Sequence, residues 1–327
     1  MVTAGVVGAT GLVGETMIEI IQDRSFPVSS FRAFASERSE GQKVRFLGAE
    51  YPVEIITPET LCKGMLLFGA TSADVARMWV PACRRSGAII IDNSSAFRMD
   101  PSVPLVVPEV NGHHLDGTED LIANPNCSTI QLVVTLGPLS EMGRMQWVSV
   151  ATYQAVSGAG REALDELSMQ QRGHVAPEGS VRLHENVVTS IGDPASDGYC
   201  EEEVKLMKET CKIMGIEIPI YASTARVPVR TGHTEAVTVR FDEPVDARKA
   251  ADILRSAPGL TLSEHGAAPL DSEGTDSVIV DRLRVNPADS RALQFWVIAD
   301  NLRKGAALNA VQIAEVWLAA AEKGGRR

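Results

Sequence analysis

A chain of 327 residues, 44% of them hydrophobic, has the apolar material for large buried cores and the length for two domains. Its 31 Lys and Arg against 42 Asp and Glu leave a net charge of −11, which excludes a broad basic face for nucleic-acid phosphates, so anion sites must be local clusters. No apolar run approaches the roughly 20 residues of a membrane span and no cationic leader opens the chain, so a cytoplasmic protein without a membrane partner is expected.

In chain order, "TAGVVGA" (3–9) reads as a strand, and "TGLVGETMIEIIQ" follows it with Val13, Met17, Ile20 and Ile21 at helical spacing. "SFRAFA" (30–35), "MLLFGA" (65–70) and "AIIIDNSS" (88–95) are further strands, with a helix over "SADVARMWVPACRRSG" between the last two. Strands alternating with helices predict a doubly wound parallel sheet. After about residue 147 the texture changes. "WVSVATYQAV", a helix from Arg161, an acidic helix near 200–214 and the strands "TEAVTVRF" and "SVIVDRLRV" indicate a second, more antiparallel domain. A closing amphipathic helix spans about 304–322.

The first turn, "GATGLVG", places Gly8, Gly11 and Gly14 between strand and helix, where backbone amides and the helix dipole favour a dinucleotide pyrophosphate. After the next strand, Ser36 stands where an NAD enzyme carries a ribose-binding acid, and Arg38 follows. This favours NADP, with Glu37 as the opposing feature. Cys62, Cys83, Cys127, Cys200 and Cys211 are odd in number and widely spaced, so reduced thiols are expected rather than disulfides or a zinc ribbon. His113 and His114 adjoin without further ligands at useful spacing, and no metal is expected.

"ANPNCSTIQLVV" (123–134) makes Cys127 different from the other four. Pro125 keeps Asn124 extended, Asn126 reads as an N-cap, and Cys127 falls in the first helical turn. Unpaired amides and the positive end of the dipole favour a thiolate there, which should lower the thiol pKa. A nucleophilic cysteine plus a nicotinamide domain adds up to acyl transfer followed by hydride transfer. Other residues carry no such local signal. Glu202 and Lys205, three apart on a helix whose apolar positions are Val204, Met207, Cys211 and Met214, read as a surface pair. Arg226 and His233, seven apart, fall on opposite faces of an unbroken strand, so Pro228 and Thr231-Gly232 must bend the chain if both meet one substrate.

The motifs "GATGLVG" (8–14), "DNSSAFR" (92–98), "VPLVVPEVN" (103–111), "NPNCST" (124–129), "TYQAVSGAG" (152–160), "EEEVKLMKET" (201–210), "RVPVRTGH" (226–233) and "DNLRKGAALNAVQIAE" (300–315) occur in order. Together they resemble the aspartate-semialdehyde dehydrogenase family over nearly the whole chain. The resemblance implies an α/β fold with a Rossmann-like NADP-binding domain (1–127), to which the helix at 303–327 returns. A second α+β catalytic and dimerisation domain (128–302) would carry a largely antiparallel sheet. It implies NADPH-dependent reduction of β-aspartyl phosphate to aspartate semialdehyde with phosphate release, in a homodimer that pairs further in some cases. Cys127 would be the nucleophile, Gln154 would orient the acyl group and His233 would be the acid/base partner. Arg226 would clamp the substrate α-carboxylate, Glu202 would face its ammonium, and Arg98 and Lys205 would hold phosphate. NADP would be contacted by Gly8, Thr10, Gly11, Leu12, Val13, Ser36, Arg38, Ser39, Ser157, Gly158 and Asn301. The family pattern is broken at Thr71 and Asp74, and again at Glu185 and Thr189. A related acyl-phosphate or acyl-CoA reductase, or an inactive binding or regulatory paralogue, are the alternatives.

Overall fold

The structure, a computed structural model, describes residues 1–324. They form two compact units, Met1–Pro125 with the stretch from Ala306 onward, and Asn126–Gly305. Cys127 is thus the second residue of the second unit.

The first unit runs β1 (Val2–Val7), α1 (Leu12–Asp23), β2 (Val28–Phe34), β3 (Lys43–Phe46), β4 (Ala49–Glu54), β5 (Leu66–Gly69), α2 (Ala73–Arg85), β6 (Ile89–Asp92), α3 (Pro108–Asn111) and β7 (Leu121–Ala123). Its seven strands lie in the order β3-β4-β2-β1-β5-β6-β7, parallel throughout except for the β3–β4 hairpin. A parallel sheet is covered on both faces, which is why Val6, Leu66, Leu67, Phe68, Ile90 and Ile91 form continuous apolar runs with almost no exposure. The hairpin was not among the expected strands. It turns on Leu47 and Gly48, both at positive φ, and is held by the stacked rings of Phe31 and Phe46 with Tyr51 at their edge. The closing helix returns to this unit. It begins with a π turn over Arg303–Ala307 and becomes regular only as α9 (Leu308–Gly324), with Ala310, Val311, Ile313 and Ala314 in the same core as Ile20, Ile21 and Phe68. Trp317 Nε1 donates to Glu119 O at 3.1 Å and Arg24 grips Glu315 through two bonds of 2.8 and 2.6 Å.

The second unit runs α4 (Cys127–Leu139), β8 (Met145–Gln154), α5 (Arg161–Gln171), α6 (Glu201–Met214), β9 (Ile220–Arg226), β10 (His233–Phe241), α7 (Ala247–Ser256), β11 (Leu260–Leu262), α8 (Pro269–Ser272), β12 (Val278–Asn286) and β13 (Asp289–Ala299). Its six strands lie in the order β11-β12-β13-β10-β8-β9, with antiparallel pairing at the centre and parallel pairs at each edge. α4 is buried on all sides, against α6, α7 and the sheet. Each of its Leu132, Val133 and Leu136 side chains contributes about 1.5–3 kcal/mol by leaving water. The helix that begins at Cys127 is therefore a rigid core element. The other face of the sheet carries Trp147, Tyr153, Tyr221 and Trp296 in two aromatic pairs, with Tyr153 40% and Tyr221 57% exposed.

Candidate active site

Asn126 caps α4. Its Oδ1 accepts from the amides of Ser128 (3.0 Å) and Thr129 (3.3 Å), and Cys127, half-buried, is the first helical residue. Such a cap is worth about 1 kcal/mol. It is itself pinned from α6, because the Asn126 amide donates to Glu209 Oε2 at 2.7 Å and its Nδ2 donates to Glu202 Oε1 at 2.8 Å. On the other side of the cysteine the chain comes so close at Gly305 that an added Cβ there would stand 3.0 Å from Cys127 Cβ.

This corrects the surface reading of α6. The inward stripe consists of Glu202, Leu206, Glu209, Thr210 and Ile213, whereas Val204, Met207, Cys211 and Met214 are only partly buried. The physical reason lies on α4: its capped, positive N-terminus supplies the donors that carboxylates need in an interior, so Glu202 and Glu209 are buried at 7% and 1% exposure. Their seven-residue spacing was the available signal, and sequence reasoning missed Glu209. Lys205 is half-buried at the rim, with Nζ 3.0 Å from Glu201 Oε1 and 3.6 Å from Glu202 Oε2.

Gln154 and Arg226 are the last pair in the parallel register of β8 and β9. Gln154 Nε2 donates to Glu202 Oε1 at 3.2 Å, and Arg226 Nη1 donates to Ala155 O at 2.8 Å. Burial holds the Arg226 pKa below its ordinary value, and the neighbouring Cys127 and Glu202 pull it back. β9 ends at Arg226 and β10 begins at His233, so the segment between them reverses the chain onto two strands, closing with Gly232 at φ +91. His233 is fully buried. Its Nδ1 accepts from the Ala155 amide at 3.0 Å, and burial together with the Arg226 charge pushes its pKa well below the ordinary value, so the ring is neutral. A Cβ at Gly158 would stand 2.9 Å from Arg226 Nη1 and 3.2 Å from His233 Nε2, so a side chain there would have to displace the guanidinium and crowd the ring. Ser157 and Asn301 hydrogen-bond one another, and Asn301 Oδ1 also accepts from the Gly232 amide at 3.0 Å, which ties the Val156–Ala159 turn to the approach to His233.

Cys127, Gln154, Glu202, Lys205, Arg226 and His233 all belong to the second unit, as do Ser157, Gly158 and Asn301. Arg98 lies in the first, buried rather than on the surface, with Nη2 donating to Asn93 O at 2.6 Å. β10 also carries the fully buried Glu235, which sequence reasoning did not single out. Burial raises its carboxyl well above the ordinary value and the Gln131 amide opposes this only in part, so the fold favours the protonated form. Its stabilising share is complete below the unfolded carboxyl pKa and is lost as pH rises toward the folded one. Glu235→Gln should therefore gain on the parent as pH rises through the raised carboxyl pKa, with each kcal/mol worth about 2–4 °C, and the difference should vanish in acid; calorimetry over a pH series measures this.

In the first unit a cavity of ≈ 650 Å³ opens at the end of β1 and β2. Gly8, Thr10, Gly11, Ser36 and Glu37 supply its polar end, and Leu61, Val75, Met78 and Trp79 its apolar end. Gly8 has φ +89, and a Cβ there would meet Ala70 O at 2.3 Å; at Gly14 it would meet Gly8 O at 2.1 Å. Gly11 has no such neighbour among the described residues closer than 3.4 Å, so its small size leaves the amide end of α1, at Leu12 and Val13, open to an anion. The cavity fits a dinucleotide. Ser39 Oγ lies 3.2 Å from Thr10 Oγ1, and Arg38 is exposed beside them. Of the departures from the family pattern, Thr71 lines the cavity and takes the Trp79 indole N–H at 3.2 Å. Asp74 instead pairs outward with Arg77, and Glu185 with Arg182. No group of three or more potential metal ligands occurs among the described residues.

Residues 3–118 match the family model for the semialdehyde dehydrogenase NAD binding domain, and residues 136–304 that for the semialdehyde dehydrogenase dimerisation domain. Aspartate-semialdehyde dehydrogenase from Aquifex aeolicus is 42% identical over 328 aligned positions, covering 95% of this chain and 96% of the relative. The chain belongs to the aspartate-semialdehyde dehydrogenase family. The Bacillus subtilis member is 39% identical, with 95% of each chain covered. Among solved structures, aspartate semialdehyde dehydrogenase II from Vibrio cholerae complexed with ASA superposes with a TM-score of 0.92 at 37% identity and 98% coverage of both chains. The Candida albicans enzyme with NADP gives 0.79 at 26% identity, covering 98% and 99%. The parallel sheet with its dinucleotide cavity is thus the NAD(P)-binding unit of an aspartate-semialdehyde dehydrogenase, and the mainly antiparallel unit is its partner domain.

Proposed function

We propose that the protein reversibly reduces β-aspartyl phosphate to aspartate semialdehyde with NADPH, releasing phosphate through a thioester on Cys127. One observation carries this reading: a helix-terminal cysteine shares a buried cluster with a guanidinium, a neutral imidazole and a carboxylate. The α4 N-terminus and Arg226 favour the Cys127 thiolate, which attacks the acyl carbon. The planar fork of Arg226 suits the substrate α-carboxylate, and Glu202, already accepting from Asn126 and Gln154, suits its ammonium. Gln154 orients the acyl group. Lys205 and Arg98 are the cations assigned to phosphate, and His233 serves the proton and charge changes at the acyl oxygen. Bound NADPH supplies the hydride that makes the thioester carbon an aldehyde carbon. Gly8, Thr10, Gly11, Leu12, Val13, Ser36, Arg38 and Ser39 would hold its phosphates and ribose, and Ser157, Gly158 and Asn301 its nicotinamide end.

Purified protein run in the oxidative direction should reduce NADP only when aspartate semialdehyde and phosphate are both present. Preference for an N-acetylglutamyl or CoA-linked substrate would contradict this reading, as would absence of any phosphate-dependent reduction.

The NADP preference is supported by Ser36 and Arg38 and by the NADP bound to the Candida albicans relative, against Glu37 at the cavity wall. Arg38→Ala should raise the KM for NADP about tenfold or more and change that for NAD little, since only the former carries a 2′-phosphate for the guanidinium. Homodimerisation is supported by the exposed aromatic face at Trp147, Tyr153, Tyr221 and Trp296 in the dimerisation domain. Sedimentation should give twice the 35.1 kDa chain mass, and Tyr221→Glu should shift it toward the single chain.

A further inference from the structure

The polar end of the dinucleotide cavity carries a charged residue that NADP does not use. β1 and β2 run in parallel register as far as Val7 and Phe34, and Phe34 O then accepts from the amides of Gly8 (2.7 Å) and Ala9 (3.0 Å), so the chain leaving β2 passes beside the glycine turn. It closes at once into a tight turn over Glu37–Ser39, with the Ser39 amide donating to Ser36 O at 2.8 Å. Ser39 Oγ, 3.2 Å from Thr10 Oγ1, ties this turn back to the glycine turn. Ser36 and Glu37 therefore line the same cavity as Gly8, Thr10 and Gly11, whereas Arg38, the next residue, is exposed and does not line it. The acid absent at position 36 is supplied one residue later. Neither the Glu37 carboxylate nor the Arg38 side chain has a hydrogen bond or ion pair among the described residues, so both are open to a ligand.

A pyrophosphate on the amides at the head of α1 puts the adenosine ribose at the end of β2, where an acid takes the 2′-hydroxyl of NAD and an arginine the 2′-phosphate of NADP. The two ligands ask for opposite charge. A hydroxyl donates and an ionised carboxylate only accepts, so they match, while a phosphate brings negative charge of its own and is repelled. A wall selecting NADP alone gains nothing from Glu37. Taken with the reaction assigned above, on which this inference rests, the geometry points to a cofactor site of dual selectivity: Glu37 receives the ribose 2′-hydroxyl of NAD, Arg38 the 2′-phosphate of NADP, and the protein turns over with either. Glu37 is the specificity residue for NAD and a handicap for NADP. The 2′ group sits on the adenosine half of the dinucleotide and the hydride on the nicotinamide half, so the bonds made and broken are those of the reaction already assigned and no step is added.

The test is fluorescence titration of the full-length protein with NADH and with NADPH, which needs no turnover, for the parent, Glu37→Ala and Glu37→Gln. Glu37 is exposed, so both variants should fold as the parent does. The parent should bind both, NADH more weakly by no more than about 10²-fold. Glu37→Ala should raise the Kd for NADH by about tenfold or more, the worth of one charge-assisted hydrogen bond, and leave that for NADPH unchanged or lower. Glu37→Gln should fall between the two for NADH, because its amide oxygen still accepts but carries no charge. A parent that binds NADPH alone, an NADH affinity unchanged in Glu37→Ala, or equal weakening of both dinucleotides would overturn the assignment. In turnover of aspartate semialdehyde with phosphate, the ratio of kcat/KM for NADP to that for NAD should rise by about tenfold or more in Glu37→Ala and fall in Arg38→Ala. Titrations that behave as expected in a protein without phosphate-dependent reduction of either dinucleotide would contradict the assigned reaction and leave the dual selectivity standing; phosphate-dependent reduction of NADP alone would do the reverse.

Discussion

Cys127→Ala should lower turnover by about 10⁴-fold or more while leaving NADPH affinity nearly unchanged, because removing a nucleophile deletes the covalent route itself, about 5 kcal/mol of barrier or more. The separation follows from the fold. Cys127 is in the second unit at the head of α4, and the glycine turn and its cavity are in the first. Cys127→Ser should be almost as slow, since a hydroxyl at the same helix terminus stays protonated where a thiol ionises. Steady-state kinetics paired with NADPH fluorescence titration measure both quantities. Loss of cofactor binding in step with activity would point to a folding defect, and retained turnover would remove the cysteine from the mechanism.

The second large effect is at Arg226, where charge and shape can be separated. Arg226→Lys keeps a cation near Cys127 and Glu202 but loses the paired fork for a carboxylate and the reach from Nη1 to Ala155 O. The KM for aspartate semialdehyde should rise by about tenfold to 10²-fold with kcat falling less, as expected when mainly ground-state binding is lost. Arg226→Met removes the charge as well and should cost about 10³-fold in kcat/KM, near 4 kcal/mol, split between binding and thiolate stabilisation. An Arg226→Lys variant with the KM of the parent would show that the substrate carboxylate is held elsewhere.

How much of this was legible beforehand differs from residue to residue. The strand, glycine turn and helix at the N-terminus, and the N-cap at Asn126, are local patterns and appear where periodicity and capping rules put them. The β3–β4 hairpin was invisible because its turn uses Leu47 at positive φ in place of the usual Asn or Gly. The inward face of α6 was misread because carboxylates were assigned outward. Glu202 and Glu209 are buried against Asn126, the cap of α4 more than 70 positions earlier, a pairing that helical spacing cannot express. Arg226 and His233 likewise share Ala155, a small residue just past the end of β8, as a hydrogen-bond partner, a link that their seven-residue spacing does not show. Chemistry-bearing residue types could be named from motifs, but the lowered pKa of His233 and the raised pKa of Glu235 are consequences of burial that only the folded chain discloses.

The central claim is that Cys127 carries the acyl group, and intact-mass spectrometry on protein mixed with β-aspartyl phosphate in the absence of NADPH tests it most directly. The account predicts a covalent aspartyl adduct that maps to the peptide containing Cys127, disappears when NADPH is added and never forms in Cys127→Ala. Reduction of the acyl phosphate without any adduct, or an adduct on another residue, would contradict it.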